Sequence, residues 1–262
     1  AAEPGHCVRR ALAVEGNLLR CGTRRLPLDQ ISTLRVIGAG KATAAMAQAA
    51  EVILGERIDA GAINTKYDHA LPLKHIETFE AGHPIPDEAG VAGAQRQLEL
   101  LAGLDANAVV IALFSGGGSA LLPAPAPGIS LADKQEATRQ LLACGATIDQ
   151  INALRKHLSA AKGGLLARAA APAQICALML SDVIGDPLDT IASGPTHPDS
   201  TTFAYCLELI DRYDLRQQLP ASVRQRLEAG AGGTLPETPK PGDPCFADSV
   251  SLVVGNSSLA ID

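Results

Sequence analysis

The chain has 262 residues, of which 47% are hydrophobic, 19% are charged and 3% are aromatic, and its formal net charge is −6. This composition is typical of a globular protein with one large domain. The acidic balance and the small number of aromatic residues argue against nucleic-acid binding. The longest apolar runs have the length of a strand, so we expect no membrane-spanning segment.

The six cysteines form no C-x-x-C pair. This spacing favours free thiols in a cytoplasmic protein over a disulfide framework. The chain does not begin with Met, and it ends one turn into a predicted helix that follows Gly255-Asn256. We therefore expect a fragment of a longer protein.

Strand and helix patterns alternate along most of the chain. The predicted strands are Leu34–Gly38, Ala60–Thr65, Ile76–Glu80, Ala108–Phe114, Ile175–Leu180 and Ser249–Val254. The predicted helices are Cys7–Leu19, Ala42–Leu54, Glu88–Leu101, Ser130–Cys144, Asp149–Leu158, Ser159–Ala170, Thr201–Leu215 and Pro220–Ala229. The alternation predicts an α/β fold with a mainly parallel sheet covered by helices on both faces. We expect one domain over residues 1–262, with a Gly- and Pro-rich linker or excursion at 230–247.

Three loops that follow predicted strands carry the residues that suggest chemistry. They are Gly38–Lys41, Ser115–Ser119 and Asp182–Asp186. Because ligands of open parallel sheets sit beyond the carboxyl ends of the strands, these loops can converge on one cleft.

The first of these loops resembles two phosphate-binding patterns and fits neither. A dinucleotide-binding turn requires glycine at position 43, which is threonine, and a P-loop requires glycine at position 35, which is arginine. What remains is Gly38 and Gly40 followed by Lys41 at the start of a helix. A cation there opposes the helix dipole, which favours a Lys41 side chain that faces an anionic ligand.

The second loop is the triple-glycine loop, which we define as Ser115, Gly116, Gly117, Gly118 and Ser119. Three glycines allow a sharp turn and leave no Cβ in the way of a ligand. The serines add hydroxyl donors, and the free N–H groups of a following helical turn suit a phosphate. The alternative is a strand-to-helix turn that binds nothing.

The third loop contains two carboxylates, Asp182 and Asp186, four residues apart after a buried strand. Such oxygens suit Mg²⁺ bound to phosphates, and Asp182 can also accept the proton of an attacking hydroxyl. The alternative is that one of them caps the segment that follows.

Further polar residues are candidates for anion binding. Arg155 and Lys156 can clamp a phosphate or carboxylate, although a solvated basic face explains them equally well. Ser193 and Thr196 lie in a turn and offer hydroxyls to a phosphate. His83, in a loop with two prolines, is interpreted as a structural loop residue.

Seven motifs occur together and in order along nearly the whole chain. They are Val36–Ala42, Thr65–His69, Ala81–Gly90, Phe114–Leu122, Asn152–Gly164, Leu180–Asp186 and Ser193–Thr196. As a set they resemble the glycerate 2-kinase (MOFRL-type) family. The sequence departs from that family at Tyr67-Asp68, where a Tyr-Gly pair is usual.

The resemblance implies ATP-dependent phosphorylation of D-glycerate to 2-phosphoglycerate with Mg²⁺. It also implies a large Rossmann-like amino domain and a smaller carboxyl domain that should follow this chain, with the active site between them. By position, Lys41 matches the active-site lysine of the family, and we assign catalytic roles to Lys41, Asp182 and Arg155. The expected partners are glycerate, a nucleotide and the missing domain, and a homodimer is left open.

Two other functions remain as alternatives. One is an NAD(P)H-dependent hydroxypyruvate reductase, which the glycine turn at 38–40 supports weakly. Asn64 and Thr65 argue against it, because a nicotinamide-binding fold requires an acidic residue at the end of the second strand. The other is a non-catalytic anion-binding module, which this chain would be if it lacks its second domain.

Overall fold

A computed structural model describes residues 3–181, 185 and 187–255 of the chain. The first helix, α1 (Pro4–Ala11), is followed by a three-stranded antiparallel sheet. Its strands are β1 (Leu12–Glu15), β2 (Leu18–Cys21) and β3 (Arg24–Pro27). The predicted helix Cys7–Leu19 is therefore wrong beyond Ala11. Two tight turns cause the difference, since Gly16 and Gly22 have positive φ and begin two-residue hairpin connections.

The predicted parallel sheet is confirmed. Its strands are β4 (Leu34–Ala39), β5 (Ala60–Lys66), β6 (Ile76–Ala81), β7 (Val109–Phe114), β8 (Gln174–Leu180) and β9 (Ser249–Gly255). They lie in the order β6-β5-β4-β7-β8-β9, and every neighbouring pair is parallel. The two central strands are β4 and β7. β7 is wholly buried, as its uninterrupted apolar sequence predicts, and β4 is buried except at Arg35.

Helices cover both faces of this sheet. They are α2 (Thr43–Leu54), α3 (Glu88–Leu101), α4 (Gly118–Leu121), α5 (Leu131–Ala143), α6 (Ile148–His157), α7 (Leu165–Ala170), α8 (Phe203–Arg212) and α9 (Ala221–Ala231). One apolar core joins the sheet to α1, α2 and the small sheet, and a second joins its other face to α3 and α7. Among the described residues, no helix is long and apolar enough to cross a lipid bilayer.

The predicted helix Ser159–Ala170 forms only in its second half. Gly163 and Gly164 both have positive φ, at 58° and 82°, and these values interrupt a right-handed helix. The helix therefore begins at Leu165. The irregular segment before it brings Lys162 into the protein interior, where it is 2% exposed.

A third apolar core lies among α5, α6, α8 and α9, with Phe203 at its centre. The Gly- and Pro-rich segment after α9 is packed against this group of helices. Asp199 N donates to the Pro239 carbonyl at 2.9 Å, and Phe203 N donates to the Glu237 carboxylate at 2.8 Å. These two hydrogen bonds fix the segment beside the first residue of α8 and the loop before it.

The close contact of α8 with α9 depends on Gly230. A Cβ at this position would lie 2.2 Å from the Phe203 ring. We expect Gly230→Ala to lower the free energy of unfolding by about 1–3 kcal/mol, because overpacking outweighs the better helix propensity of alanine. Urea unfolding measures the change. Adding Phe203→Leu should recover part of the loss, and an unchanged stability of Gly230→Ala would contradict this packing.

Candidate functional site

All strands of the large sheet are parallel, but the side on which the chain adds successive strands changes between β4 and β7. From β4 the chain continues outward to β5 and β6, and from β7 it continues outward the other way to β8 and β9. Ligands of open α/β sheets bind beyond the carboxyl ends of the strands at such a switch point. The loop that carries Lys41 follows β4, and the triple-glycine loop follows β7, so these two predicted loops lie side by side.

Hydrogen bonds join the two loops. Lys41 N donates to the Gly116 carbonyl at 2.9 Å, and Ala42 N donates to Ser115 Oγ at 3.0 Å. Ser115 Oγ also lies 3.2 Å from Thr43 Oγ1. The Ser115 hydroxyl therefore accepts from the start of α2 and holds the two loops in register.

Glycine is required at two positions just before Lys41, because the end of β7 and the loop that follows it approach closely there. A Cβ on Gly38 would lie 2.2 Å from the Leu113 carbonyl oxygen, and one on Gly40 would lie 2.1 Å from Ser115 Oγ. Gly40 also has a φ of 148°. Gly40 therefore allows the contact between the two loops, and Gly38 allows β4 to lie close to the end of β7.

The exposed Lys41 side chain extends over the triple-glycine loop. Its Cε lies 3.3 Å from the position of a Cβ on Gly117, and the His83 ring lies 2.9 Å from the same point. Gly117 has a φ of 82°, which a residue with a side chain rarely adopts. The structure thus adds His83 to the site, and the only sequence signal for it was its position in a proline-containing loop.

Three backbone amides of the triple-glycine loop remain open to a ligand. Gly118 N donates to the Ser115 carbonyl, whereas the N–H groups of Gly116, Gly117 and Ser119 have no acceptor within the part of the chain that the structure describes. Amides arranged in this way around a left-handed residue form a cradle for an anion.

The opposite wall of the cleft comes from α6 and residues 190–192, which directly precede Ser193. Asn152 and Arg155, three residues apart on α6, share one helix face and line the cleft. Ser193 Oγ donates to Asn152 Oδ1 at 3.2 Å and lies 2.8 Å from Ser119 Oγ. The cleft has a volume of about 280 Å³. Burial lowers the pKa of Arg155 from its ordinary value, but its guanidinium stays charged.

The buried Lys162 side chain contacts two of the residues that line the cleft. Its Nζ donates to the Ser119 carbonyl at 2.8 Å and to the Ala192 carbonyl at 3.5 Å. One buried ammonium group therefore joins the triple-glycine loop to the turn that carries Ser193. Burial and the nearby charges of Lys134 and Arg155 lower the pKa of Lys162 well below its ordinary value.

Lys134 is also buried, with Nζ donating to the Ala124 carbonyl at 3.3 Å. Burial, with a smaller effect of the charges on Arg155 and Arg226, lowers its pKa from 10.5 to about 7. Between these two values the unfolded chain binds more protons than the folded protein, so this group makes stability rise with pH. The cost of burying the Lys134 charge lowers stability most at pH values below the pKa of the folded state.

We expect Lys134→Met to raise the free energy of unfolding at pH 7 by more than about 1 kcal/mol, because the variant has no buried ammonium group. The gain should shrink toward pH 10, where the wild-type lysine is neutral in the folded protein. Urea unfolding at both pH values measures it. A gain that stays the same at both pH values would show that Lys134 does not titrate in this range.

Four of the predicted anion-binding side chains, those of Lys41, Lys156, Ser193 and Thr196, are not among the residues that line this cleft. Lys156 is buried, with its Nζ 3.3 Å from Asp199 Oδ1 and 3.6 Å from Asp189 Oδ2. Thr196 is 2% exposed, and its hydroxyl has no hydrogen-bond partner among the described residues. Asp182 and Asp186 lie outside the described residues. Among the residues that the structure describes, no three His, Cys, Asp or Glu side chains are grouped as a metal site.

Comparison with known proteins gives a family and several named relatives. The family described as a domain of unknown function (DUF4147) matches residues 1–228. The chain is 43% identical over 216 residues to a D-glycerate 2-kinase of Thermotoga maritima, an alignment that covers 82% of this chain and 50% of that protein. It is 46% identical over 222 residues to an Agrobacterium vitis protein provisionally named hydroxypyruvate reductase, with 85% and 49% covered.

A solved structure shares the fold. The crystal structure of a protein from Pyrococcus horikoshii matches this chain with a TM-score of 0.92 at 39% sequence identity, covering 99% of this chain and 58% of that one. The α/β fold predicted from the sequence is thus also found in a similar protein. The chain spans about half the length of the curated relatives it matches.

Proposed function

The chain belongs to the DUF4147 family, and from its similarity to a glycerate 2-kinase and the geometry of the cleft we propose that the whole protein phosphorylates D-glycerate with ATP. One observation carries this proposal. The Lys41 side chain extends over the open amides of the triple-glycine loop at the switch point of the parallel sheet. A cation above a backbone cradle suits the phosphates of a nucleotide.

The proposed roles follow from how phosphoryl transfer is catalysed. The reaction needs positioning and stabilisation of charge on the transferred group more than covalent chemistry by the protein. Lys41 and the N–H groups of Gly116, Gly117 and Ser119 would stabilise that charge. These groups are oriented before the substrate binds, so little reorganisation is needed during the reaction.

The opposite wall would bind the acceptor. We propose that Arg155 pairs with the carboxylate of glycerate. The predicted contact of the Ser193 hydroxyl with a phosphate has less support, because Ser193 is buried and its hydroxyl bonds to Asn152 and Ser119. Lys156 is less suited to this role, because its ammonium is already paired with Asp199. Thr196 is also less suited, because it is buried and does not line the cleft.

Asp182 and Asp186 are the proposed ligands of Mg²⁺, since carboxylate oxygens are the protein groups that this ion prefers. Mg²⁺ supplies charge neutralisation on the phosphates when it is bound together with ATP. We also propose that Asp182 accepts the proton of the glycerate 2-hydroxyl, as a carboxylate does in other kinases.

The full-length protein, D-glycerate and ATP–Mg²⁺ test the proposal directly. We expect 2-phosphoglycerate and ADP in equal amounts, identified by phosphorus NMR. Formation of 3-phosphoglycerate would keep the kinase but contradict transfer to the 2-hydroxyl. No phosphorylation of glycerate, in a protein that is folded and supplied with Mg²⁺, would contradict the proposed function.

The second candidate function is reduction of hydroxypyruvate, favoured by the name of the Agrobacterium vitis relative. The residues of this chain favour it less. Asn64 and Thr65, at the end of β5, are fully buried, and Asn64 Nδ2 donates to two backbone carbonyls. They leave no acidic group for the ribose hydroxyls of a nicotinamide cofactor. Oxidation of NADH by hydroxypyruvate, followed by absorbance, separates the two functions.

A further inference from the structure

A second cavity lies on the other side of α6 from the cleft. Its volume is about 570 Å³, twice that of the cleft. Asn152 and Arg155 line the cleft, whereas the next two residues of α6, Lys156 and His157, line this cavity. The two spaces therefore use different faces of one helix and do not share their polar groups.

The walls of this cavity are mostly apolar. Ile129, Leu165, Phe203 and Leu235 contribute to them. No Asp or Glu is found among its described lining residues, although the whole chain carries a net charge of −6. An apolar space with few convergent polar groups is typical of a site for a small organic molecule.

The polar end of the cavity is formed by α9. Ser222 and Arg226 lie one helical turn apart and so share one face of that helix. Arg226 Nε donates to the His157 carbonyl at 2.8 Å, and its guanidinium lies 5.8 Å from the centre of the Phe203 ring. The buried Ser222 hydroxyl lies close to the Asp133 carboxylate, and interactions with Ser130 and, to a smaller extent, with Ser222 lower the pKa of Asp133.

Arg226 differs from the other arginine of the cavity. Arg168 is paired with Asp243 at 3.2 Å and also donates to the Glu237 carbonyl. Arg226 is half-buried and has no carboxylate within ion-pair distance among the residues that the structure describes. A partly desolvated guanidinium without a counterion favours a bound carboxylate, to which it can donate two parallel hydrogen bonds.

We propose that this cavity is a second ligand site, separate from the cleft, which binds a small organic carboxylate with an apolar body. The Arg226 guanidinium holds the carboxylate. Ile129, Leu165 and Leu235 cover the apolar part. This site does not depend on the proposed kinase activity, since none of these residues lines the cleft.

Hexanoate is a suitable probe, with calorimetric titration of the full-length protein as the measurement. We expect saturable binding of hexanoate, weakened at least tenfold by Arg226→Gln. Ala229→Leu, which fills part of the cavity without removing a charge, should weaken it to a similar extent. Arg155→Gln, the matched change in the cleft, should leave it unaltered. Circular dichroism verifies that each variant is folded.

Uncharged hexanol and inorganic phosphate test the two halves of the proposed ligand. Each should bind at least tenfold more weakly than hexanoate. Phosphate binding as tightly as hexanoate would overturn the proposal that the ligand is a carboxylate with an apolar body. Absence of saturable hexanoate binding would overturn the site, and so would binding that is lost in Arg155→Gln but kept in Arg226→Gln. Glycerate phosphorylation is assayed separately, so its failure would not be mistaken for either result.

Discussion

Replacing Lys41 with methionine is expected to lower kcat for glycerate phosphorylation by roughly 100-fold or more, the loss typical of removing one group that stabilises transition-state charge. The fold should be unaffected. The Lys41 side chain is exposed, and the backbone N–H that binds the Gly116 carbonyl is kept in the variant. Turnover at saturating glycerate and ATP, together with the thermal unfolding midpoint, measures both effects.

Lys74→Met is the matched control, because Lys74 is also an exposed lysine but lines a different pocket, beside α1 and α2, whereas Lys41 extends over Gly117. It removes the same charge from the protein as a whole. We expect near-normal turnover in this variant. If Lys41→Met and Lys74→Met had the same turnover, the lysine in the loop after β4 would have no part in the reaction.

The large sheet could be predicted from the sequence because its physical signal is local. Strands buried on both faces must be apolar at every position, and Val109–Phe114 meets that condition without interruption. The small sheet could not be predicted in the same way. Its strands have four residues each. The apolar residues of this region, which are Val8, Ala11, Leu12 and Leu18, match helical spacing as well. Only Gly16 and Gly22, the glycines of its two turns, indicate hairpins in place of a helix.

The candidate site could be predicted in outline but not in its contacts. Parallel strands bring their carboxyl ends to one edge, which is why the loops after β4 and β7 meet. Which side chains face the cleft depends on contacts between distant residues. The Lys156 ammonium lies against Asp199, 43 residues later, and no local pattern indicates that pairing.

One departure from the resembled family can be understood physically. Asp68, where glycine is usual, has a φ of 65°. Aspartate is among the few residues with a side chain that tolerate this left-handed conformation. The turn after β5 therefore keeps the backbone conformation that glycine adopts most easily.

The alanine variant of Gly117 is expected to lower kcat by roughly 100-fold, since displacing catalytic groups by about 1 Å is enough for such a loss. Its Cβ would lie 2.9 Å from the His83 ring and 3.3 Å from Lys41 Cε. Both contacts are too short, so the side chains above the loop must move or the loop itself must shift. The left-handed φ of 82° adds a backbone cost of about 1 kcal/mol.

Gly128→Ala separates the two effects. Gly128 has the same φ of 82°, but no atom lies within 4 Å of the position of its Cβ. This variant should lose the same stability of about 1 kcal/mol and keep its turnover. Equal losses of turnover in the two variants would attribute the effect to destabilisation alone. Loss of turnover only in Gly117→Ala would indicate that the reaction needs the space between the loop backbone, His83 and Lys41, the space in which a phosphate would bind.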